Sequence, residues 1–306
     1  MIARSWLFVP GDSERKQAKA LASGADALIL DLEDSVAPAQ LPAARKQVQE
    51  FLQTGASRQQ LWVRVNAPAS GQLDEDMRAV IGGRPHGLVL PKISAPAEIM
   101  EIDRTLTAAE AGKGVASGST QLLVIATETP QSLFTLNTFA AGSTRVVALT
   151  WGHEDLAAAL GTRDKFEADG SLAFTFQLAR SMCLLAAAAS GVAAIDGVQA
   201  QFRDLKGTRS EAQRAYRDGF TGKLAIHPDQ VPLINAAFTP SQDEIEDAQR
   251  IVAAFEAVPG SGVISLDGRM LDRPHLVQAQ RILALARVNF ASSRHPAQCT
   301  KDRPLG

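Results

Sequence analysis

Cysteine is nearly absent from this 306-residue sequence, and its two copies, Cys183 and Cys299, have neither metal-ligand nor paired-disulfide spacing. That usage points to a reducing compartment and sets aside a disulfide-stapled fold. Charge of one sign is also missing: 31 basic side chains face 33 acidic ones, a net charge of −2. No global field therefore recruits nucleic acid or an anionic membrane. No apolar run approaches the roughly 20 residues of a membrane span, and the first ten residues lack the charged-then-apolar layout of a signal peptide. A cytoplasmic protein is the expectation. With 45% hydrophobic and 21% charged residues, the chain has ample material for a core.

What is present is a recurrence of short apolar runs with amphipathic stretches between them, the pattern of a parallel α/β fold. Eight runs are found, at 6–9, 27–32, 61–66, 87–90, 122–126, 146–149, 194–198 and 223–226. Their near-continuous apolarity suits strands buried on both faces, and eight is the number that closes a (β/α)₈ TIM barrel. Helices are expected at 14–22, 42–54, 95–111, 132–140, 173–190, 210–218 and 230–237, with 112–120 as the best candidate for a mobile loop. The barrel should occupy 1–238. A C-terminal extension at 239–291 should hold a helix begun at Ser241, a turn at Asp267-Gly268 and a further helix from Arg273, followed by a flexible tail at 292–306.

Barrel enzymes assemble their sites where strands end, so polar residues there carry functional weight. The set comprises Asp12, the Asp31-Leu32-Glu33-Asp34 run, Arg64, Asn66, Lys92, Glu128, Asp155, Asp196 and His227. Glu128 and Asp155 follow consecutive strands and form a hard oxygen pair suited to Mg²⁺. Taken singly, each reads better as a helix N-cap or ion-pair partner, and the pair on consecutive strands reverses that preference. Arg64 sits in an apolar strand, where a permanent cation needs an anion. It either meets a substrate carboxylate or enolate oxygen, or pairs with Asp31 or Glu33, and both roles are compatible. Asp31, Glu33 and Asp34 crowd three acids together and read as groups that orient Arg64 or metal-bound water. Lys92 offers the Schiff-base alternative, which the carboxylate pair makes unnecessary. His153 reads as a hydrogen-bonding residue rather than a ligand.

The ordered set of motifs resembles the citrate lyase β-subunit and malyl-CoA lyase family within the HpcH/HpaI aldolase superfamily. It includes Arg-Ser-Trp-Leu-Phe-Val-Pro-Gly-Asp at 4–12, Leu-Asp-Leu-Glu-Asp-Ser-Val-Ala-Pro at 30–38 and Val-Arg-Val-Asn at 63–66. Leu-Pro-Lys at 90–92, Thr-Glu-Thr at 127–129, Gly-His-Glu-Asp-Leu at 152–156, Lys-Leu-Ala-Ile-His-Pro at 223–228 and Asp-Gly-Arg-Met-Leu-Asp-Arg-Pro-His at 267–275 complete it. The resemblance implies a carbon–carbon lyase acting on a 3-hydroxyacyl-CoA, with Mg²⁺ on Glu128 and Asp155 (Mn²⁺ able to take its place). A 2-keto acid would bind at Glu128 and the metal and reach Arg64. It further implies a homotrimer or hexamer in which Asp267 arrives on a neighbouring subunit's lid as the acid/base. An acyl-CoA thioesterase, a citryl-acyl-carrier-protein lyase subunit and a non-catalytic homologue are the competing functions. Thr-Pro-Gln-Ser-Leu-Phe at 129–134 departs from the small residues usual after the glutamate and bears on keto-acid choice. Arg15, Lys16 and Lys19 are candidates for CoA phosphates, although exposed helix charges are more often simply solvated.

Overall fold

Every second residue along the apolar runs faces one side of a closed surface. In the computed structural model, which describes residues 3–54 and 58–293, eight parallel strands form a closed barrel in sequence order. They are β1 (Ser5–Pro10), β2 (Ala27–Asp31), β3 (Gln60–Arg64), β4 (Gly87–Leu90), β5 (Gln121–Ile125), β6 (Val146–Thr150), β7 (Ala193–Asp196) and β8 (Gly222–Ala225). Closure comes from β1 pairing with β8, Ser5 opposite Lys223 and Leu7 opposite Ala225. The interior is packed, not hollow: Trp6, Ile29, Trp62, Val89, Leu123 and Leu224 belong to one buried cluster, with the rings of Trp6 and Trp62 5.0 Å apart. The alternate residues, such as Leu28, Val63, Leu88 and Leu122, face outward to the helices.

The outer layer is α1 (Glu14–Leu21), α2 (Leu41–Gln53), α3 (Leu73–Val80), α4 (Pro96–Gly112), α5 (Glu154–Leu160), α6 (Phe174–Ser190), α7 (Leu205–Asp218) and α8 (Val231–Ala237). Two crossovers differ from expectation. The helix α3 was unforeseen; it is only eight residues long, and its buried side includes Asp76 beside Leu73, Met77 and Val80. The crossover expected as a helix at 132–140 is instead built of 3-10 turns, Gln131–Phe134 and Leu136–Gly142. Its hydroxyls explain the change: Ser132 Oγ donates to Thr129 O at 2.5 Å, Thr135 Oγ1 to Ser132 O at 3.2 Å and Thr138 Oγ1 to Thr135 O at 2.6 Å. Such local bonds compete with the helical ladder.

The chain divides into two compact units, the barrel through Phe238 and a second unit from Thr239. The second unit holds α9 (Gln242–Glu256), the hairpin of β9 (Val263–Leu266) and β10 (Arg269–Asp272), and α10 (Arg273–Ser293). Ser241 caps α9, its Oγ accepting from Glu244 N while Glu244 reaches back to Ser241 N. Asp267 and Gly268 turn the hairpin with φ of 51° and 75°, the left-handed pair that a two-residue hairpin turn requires. Ala248, Ile251, Phe255, Leu271 and Ala279 form this unit's own core. Cys183 is buried and free, whereas Cys299 and the tail at 294–306 lie outside the described residues. Among the described residues no helix is long and apolar enough to cross a membrane.

At the barrel's N-terminal face Arg145 is buried and meets Asp103 Oδ1 at 2.5 Å and Glu110 Oε2 at 2.7 Å. Glu110 also accepts from Gly118 N and Thr120 N at 2.8 and 2.9 Å, so the loop expected to be mobile is tied at its end. Burial alone would raise the Glu110 carboxyl, but Arg145 and these N–H donors outweigh it and hold it at about 2, against an ordinary 4.5. The folded value is depressed, so its stabilisation is complete above the unfolded value and is lost as pH falls from about 4.5 toward about 2. The stability difference between the wild type and Glu110→Gln, from urea unfolding, should therefore shrink across that window; a pH-independent difference would contradict the assignment.

Candidate functional site

Register places the first two members of the site. Asp31 is the last residue of β2 and lies opposite Arg64, the last residue of β3. Arg64 is two positions beyond the inward Trp62 and so points into the barrel mouth. Its Nε and Nη2 donate to the two oxygens of Asp31 at 2.6 and 2.7 Å, and Nη1 lies 3.1 Å from Glu33 Oε2. The guanidinium also rests 4.9 Å from the centre of the Phe8 ring. Asp31 further accepts from Glu33 N and Ser35 N at 3.0 and 3.2 Å. Burial opposes its charge, yet Arg64 and these donors outweigh burial and keep the carboxyl below its usual range. The structural ion pair of Arg64 is thus formed, and a fork so pinned is also preorganised for an anion.

Lys92 joins the remaining acids. It follows β4 with φ of 55°, a left-handed conformation that a lysine rarely adopts and that costs about 1–3 kcal/mol. The kink aims its backbone N–H at Glu128 Oε2, 2.6 Å away. Its side chain returns to the same group: Nζ contacts Glu33 Oε1, and lies 3.3 Å from Asp155 Oδ1 and 3.5 Å from Asp34 Oδ1. One residue therefore touches both carboxylates of the pair. Burial lowers the Lys92 ammonium, but Glu33, Asp155 and Glu128 more than reverse this and hold it above its ordinary value.

Glu128 is 5% exposed, and Asp155, in the first turn of α5, is more open. A Cβ on Gly152 would sit 3.0 Å from Glu128 Cγ, so a glycine lets the loop after β6 approach this closely without displacing the carboxylate. Burial, and then the charge of Asp155, push the Glu128 carboxyl up to about 8 against the pull of the Lys92 N–H. Five carboxylates, Asp31, Glu33, Asp34, Glu128 and Asp155, thus converge on two cations, Arg64 and Lys92. When all are ionised, three negative charges remain. Among the described residues no set of three or more His, Cys, Asp or Glu is arranged as a metal cage. A pair of hard oxygens at one end of an acidic group fits an ion that keeps most of its own waters, as Mg²⁺ does.

Three further positions have other partners. Asp196 leaves the mouth: its neighbour Ile195 faces the barrel interior, so Asp196 faces outward, accepting from Trp151 Nε1, Arg180 Nε and Lys223 Nζ, each at 2.8 Å. His227 stacks on Phe202 at 4.9 Å and accepts from Asp229 N. Asp267 belongs to the second unit, where it is exposed and lies 2.9 Å from Arg250 Nη1. The sequence reading missed Asp76, fully buried on α3, which accepts from Asn66 N and Nδ2 at 2.7 and 2.8 Å and from Arg45 Nε at 2.7 Å, anchoring the chain just beyond Arg64. A carboxylate inside the apolar stripe of α3 was its only sequence signal.

Residues 4–228, which contain this mouth, match HpcH/HpaI aldolase/citrate lyase. The chain belongs to that family. Citrate lyase subunit beta of Leuconostoc mesenteroides subsp. cremoris is 33% identical over 293 residues, 94% of each chain. (3S)-malyl-CoA thioesterase of Cereibacter sphaeroides (strain KD131 / KCTC 12085) is 35% identical over 287 residues, covering 92% of this chain and 94% of that one. Among solved structures, CitE from Mycobacterium tuberculosis in complex with magnesium, acetoacetate and coenzyme A matches with a TM-score of 0.77 and 33% identity, over 93% of this chain and 98% of that one. The citrate lyase β-subunit-like proteins are lyases, and the chain is an enzyme of that kind.

A Schiff-base lysine must shed its proton near neutrality, and Lys92 is held the other way. Incubation with pyruvate and borohydride should therefore leave Lys92 unmodified by mass spectrometry; a reduced adduct on Lys92 would contradict this site.

Proposed function

We propose that the protein is a Mg²⁺-dependent lyase that cleaves, or in reverse forms, a 3-hydroxyacyl-CoA such as malyl-, citramalyl- or citryl-CoA, giving an acyl-CoA and a 2-keto acid. The observation that carries this reading is the acidic excess at the mouth, with Glu128 and Asp155 at its metal end. The M. tuberculosis relative, described with magnesium and coenzyme A, supports it. Mg²⁺ held there, or Mn²⁺ in its place, supplies Lewis-acid polarisation of a substrate oxygen.

The chain's own residues do the rest. Arg64, its Nε and one Nη2 hydrogen committed to Asp31, keeps the second Nη2 hydrogen for a carboxylate or enolate oxygen of the substrate. Asp31, Glu33 and Asp34 orient Arg64 and Lys92. Lys92 holds Glu128 through its backbone N–H and, until the metal takes its place, neutralises part of the charge of Asp155. In the cleavage direction the 3-hydroxyl gives up its proton to solvent, and the bond between C2 and C3 breaks as the 3-hydroxyl carbon becomes a carbonyl. The electron pair passes to the thioester as an enolate, and a proton delivered to the α-carbon completes the acyl-CoA. Asp267, on a lid from a neighbouring subunit, is the proposed donor, and it removes the same proton in reverse. A trimer or hexamer in the cytoplasm is part of the proposal.

A second reading, hydrolysis of a malyl-CoA-type thioester, is favoured by the similarity to the Cereibacter thioesterase. Incubation with Mg²⁺ and a panel of hydroxyacyl-CoAs, followed by mass, separates the two: keto acid plus acyl-CoA marks the lyase, and free CoA without keto acid the thioesterase. Absence of any turnover with fold intact and metal bound would defeat both. Glu128→Gln and Asp155→Asn should each lower turnover at least about 100-fold and weaken Mg²⁺ binding by calorimetry. Asp267→Asn should lower turnover about 10²- to 10⁴-fold and leave Mg²⁺ binding unchanged; loss of metal binding would remove Asp267 from its role.

A further inference from the structure

Among the described barrel helices of eight or more residues, α6 alone turns no charge to solvent. The others, α1, α2, α3, α4 and α7, carry exposed charged side chains such as Lys16, Lys46, Asp74, Glu101 and Arg209. In α6 the sole charged residue is Arg180, and it is engaged against the barrel, with Nε 2.8 Å from Asp196 and Nη1 2.7 Å from Asp218. The inner face of the helix is buried through Phe176, Ala179, Cys183, Ala186 and Ala187. Its outer face presents Phe174 at 73%, Leu178 at 46% and Leu185 at 68% exposure, so no described part of the chain covers them. Steps of four and seven residues bring these three onto one stripe, which Ser181, Ala188 and Ala189, also exposed, continue.

The stripe runs the length of a 17-residue helix, about 25 Å. One phenylalanine offers about 150–250 Å², so Phe174 with the two leucines and the small residues beside them presents roughly 400 Å², about half of what a standard interface takes from each partner. The β5–β6 crossover packs along α6 and adds Phe134, 87% exposed. Apolar surface of this extent marks a contact. With no charge to complement, the stripe selects an equally uncharged partner, and α6 itself is one. Turned antiparallel about a twofold axis between Ser181 and Met182, the helix sets Phe174 against Ala189 of a second copy, Leu178 against Leu185, and the reverse. The largest side chain thereby meets the smallest, the leucines meet each other, and Ser181 leaves room for close approach at the axis.

We propose that the outer face of α6 is a twofold contact between two copies of this chain. Such a contact is isologous, each copy offering the same patch, and a stripe that is its own complement meets that condition. The proposed lid, which brings Asp267 to a neighbouring mouth, requires a separate ring of copies. A threefold ring joined to a second one by twofold contacts closes as a hexamer, so the α6 face selects the hexamer over the trimer. That last step rests on the proposed role of Asp267; the twofold contact does not.

The test is sedimentation of the full chain, with far-UV circular dichroism as the check on folding. The wild type should sediment as an even number of copies. Leu185→Glu and Leu178→Lys should each halve that mass and leave the dichroism unchanged, because both side chains face solvent in the single chain. The double variant should associate at least about tenfold more tightly than either single one, since the two substituted positions meet with opposite charge across the axis. An odd number of copies in the wild type, a mass that Leu185→Glu leaves unchanged or cuts to one third, or a double variant no tighter than the single ones would overturn the proposal. So would loss of helical dichroism in Leu185→Glu, which would mean that another segment of the same chain covers the face. A wild-type trimer would defeat the twofold contact and leave the lid standing, whereas a dimer halved by Leu185→Glu would support the contact and count against the lid's ring.

Discussion

Uncompensated negative charge at the barrel mouth is the constraint on which the other features depend. Asp31, Glu33, Asp34, Glu128 and Asp155 crowd around Arg64 and Lys92, and like charges this close repel unless a proton or a further cation joins them. The register of β2 on β3 puts Asp31 opposite Arg64 and settles one half of the group as a bidentate pair over Phe8. The other half relies on a strained lysine, held at a positive φ so that its main chain and its side chain both serve the carboxylates. A fold that only needed stability would gain from removing such a group, since replacing buried ion clusters by apolar side chains is often neutral or stabilising. Such a group suits the proposed site, in which a cation and an anionic substrate are held together.

The second unit carries its functional candidate differently. Asp267 occupies a hairpin tip with its own small core behind it, and its partner Arg250 is about as exposed as it is. Exposed pairs of this kind contribute about 0–1 kcal/mol, so the carboxylate is easily released to meet another group. Such an arrangement suits a residue that acts only when presented to a substrate. It contrasts with the buried Asp31, Glu33 and Glu128 of the mouth.

The barrel was legible because strands buried on both faces leave continuous apolar runs, and all eight appear close to where those runs lie. The β5–β6 crossover was not, since Ser132, Thr135 and Thr138 sit within an apolar helical pattern yet spend their hydroxyls on local carbonyls. Within the site, strand ends located Arg64, Glu128 and Asp155, but proximity to a strand end says nothing about facing. Alternation would have placed Asp196 correctly, because Ile195 is an inward residue and its successor must face the helices. Lys92 could be found by position but not by role, for neither its left-handed backbone nor its reach to three acids leaves a trace in the sequence. The buried Asp76 anchor behind Asn66 was hidden for a similar reason, being one of three consecutive acids at the start of a short helix.

The most direct measurement of the central claim is the anomalous scattering of crystals grown with Mn²⁺ in place of Mg²⁺. The account predicts one strong peak in the barrel mouth within coordinating distance of both Glu128 and Asp155, with Lys92 Nζ no longer beside Asp155. A mouth without a peak, or a peak bound by other residues, would contradict it.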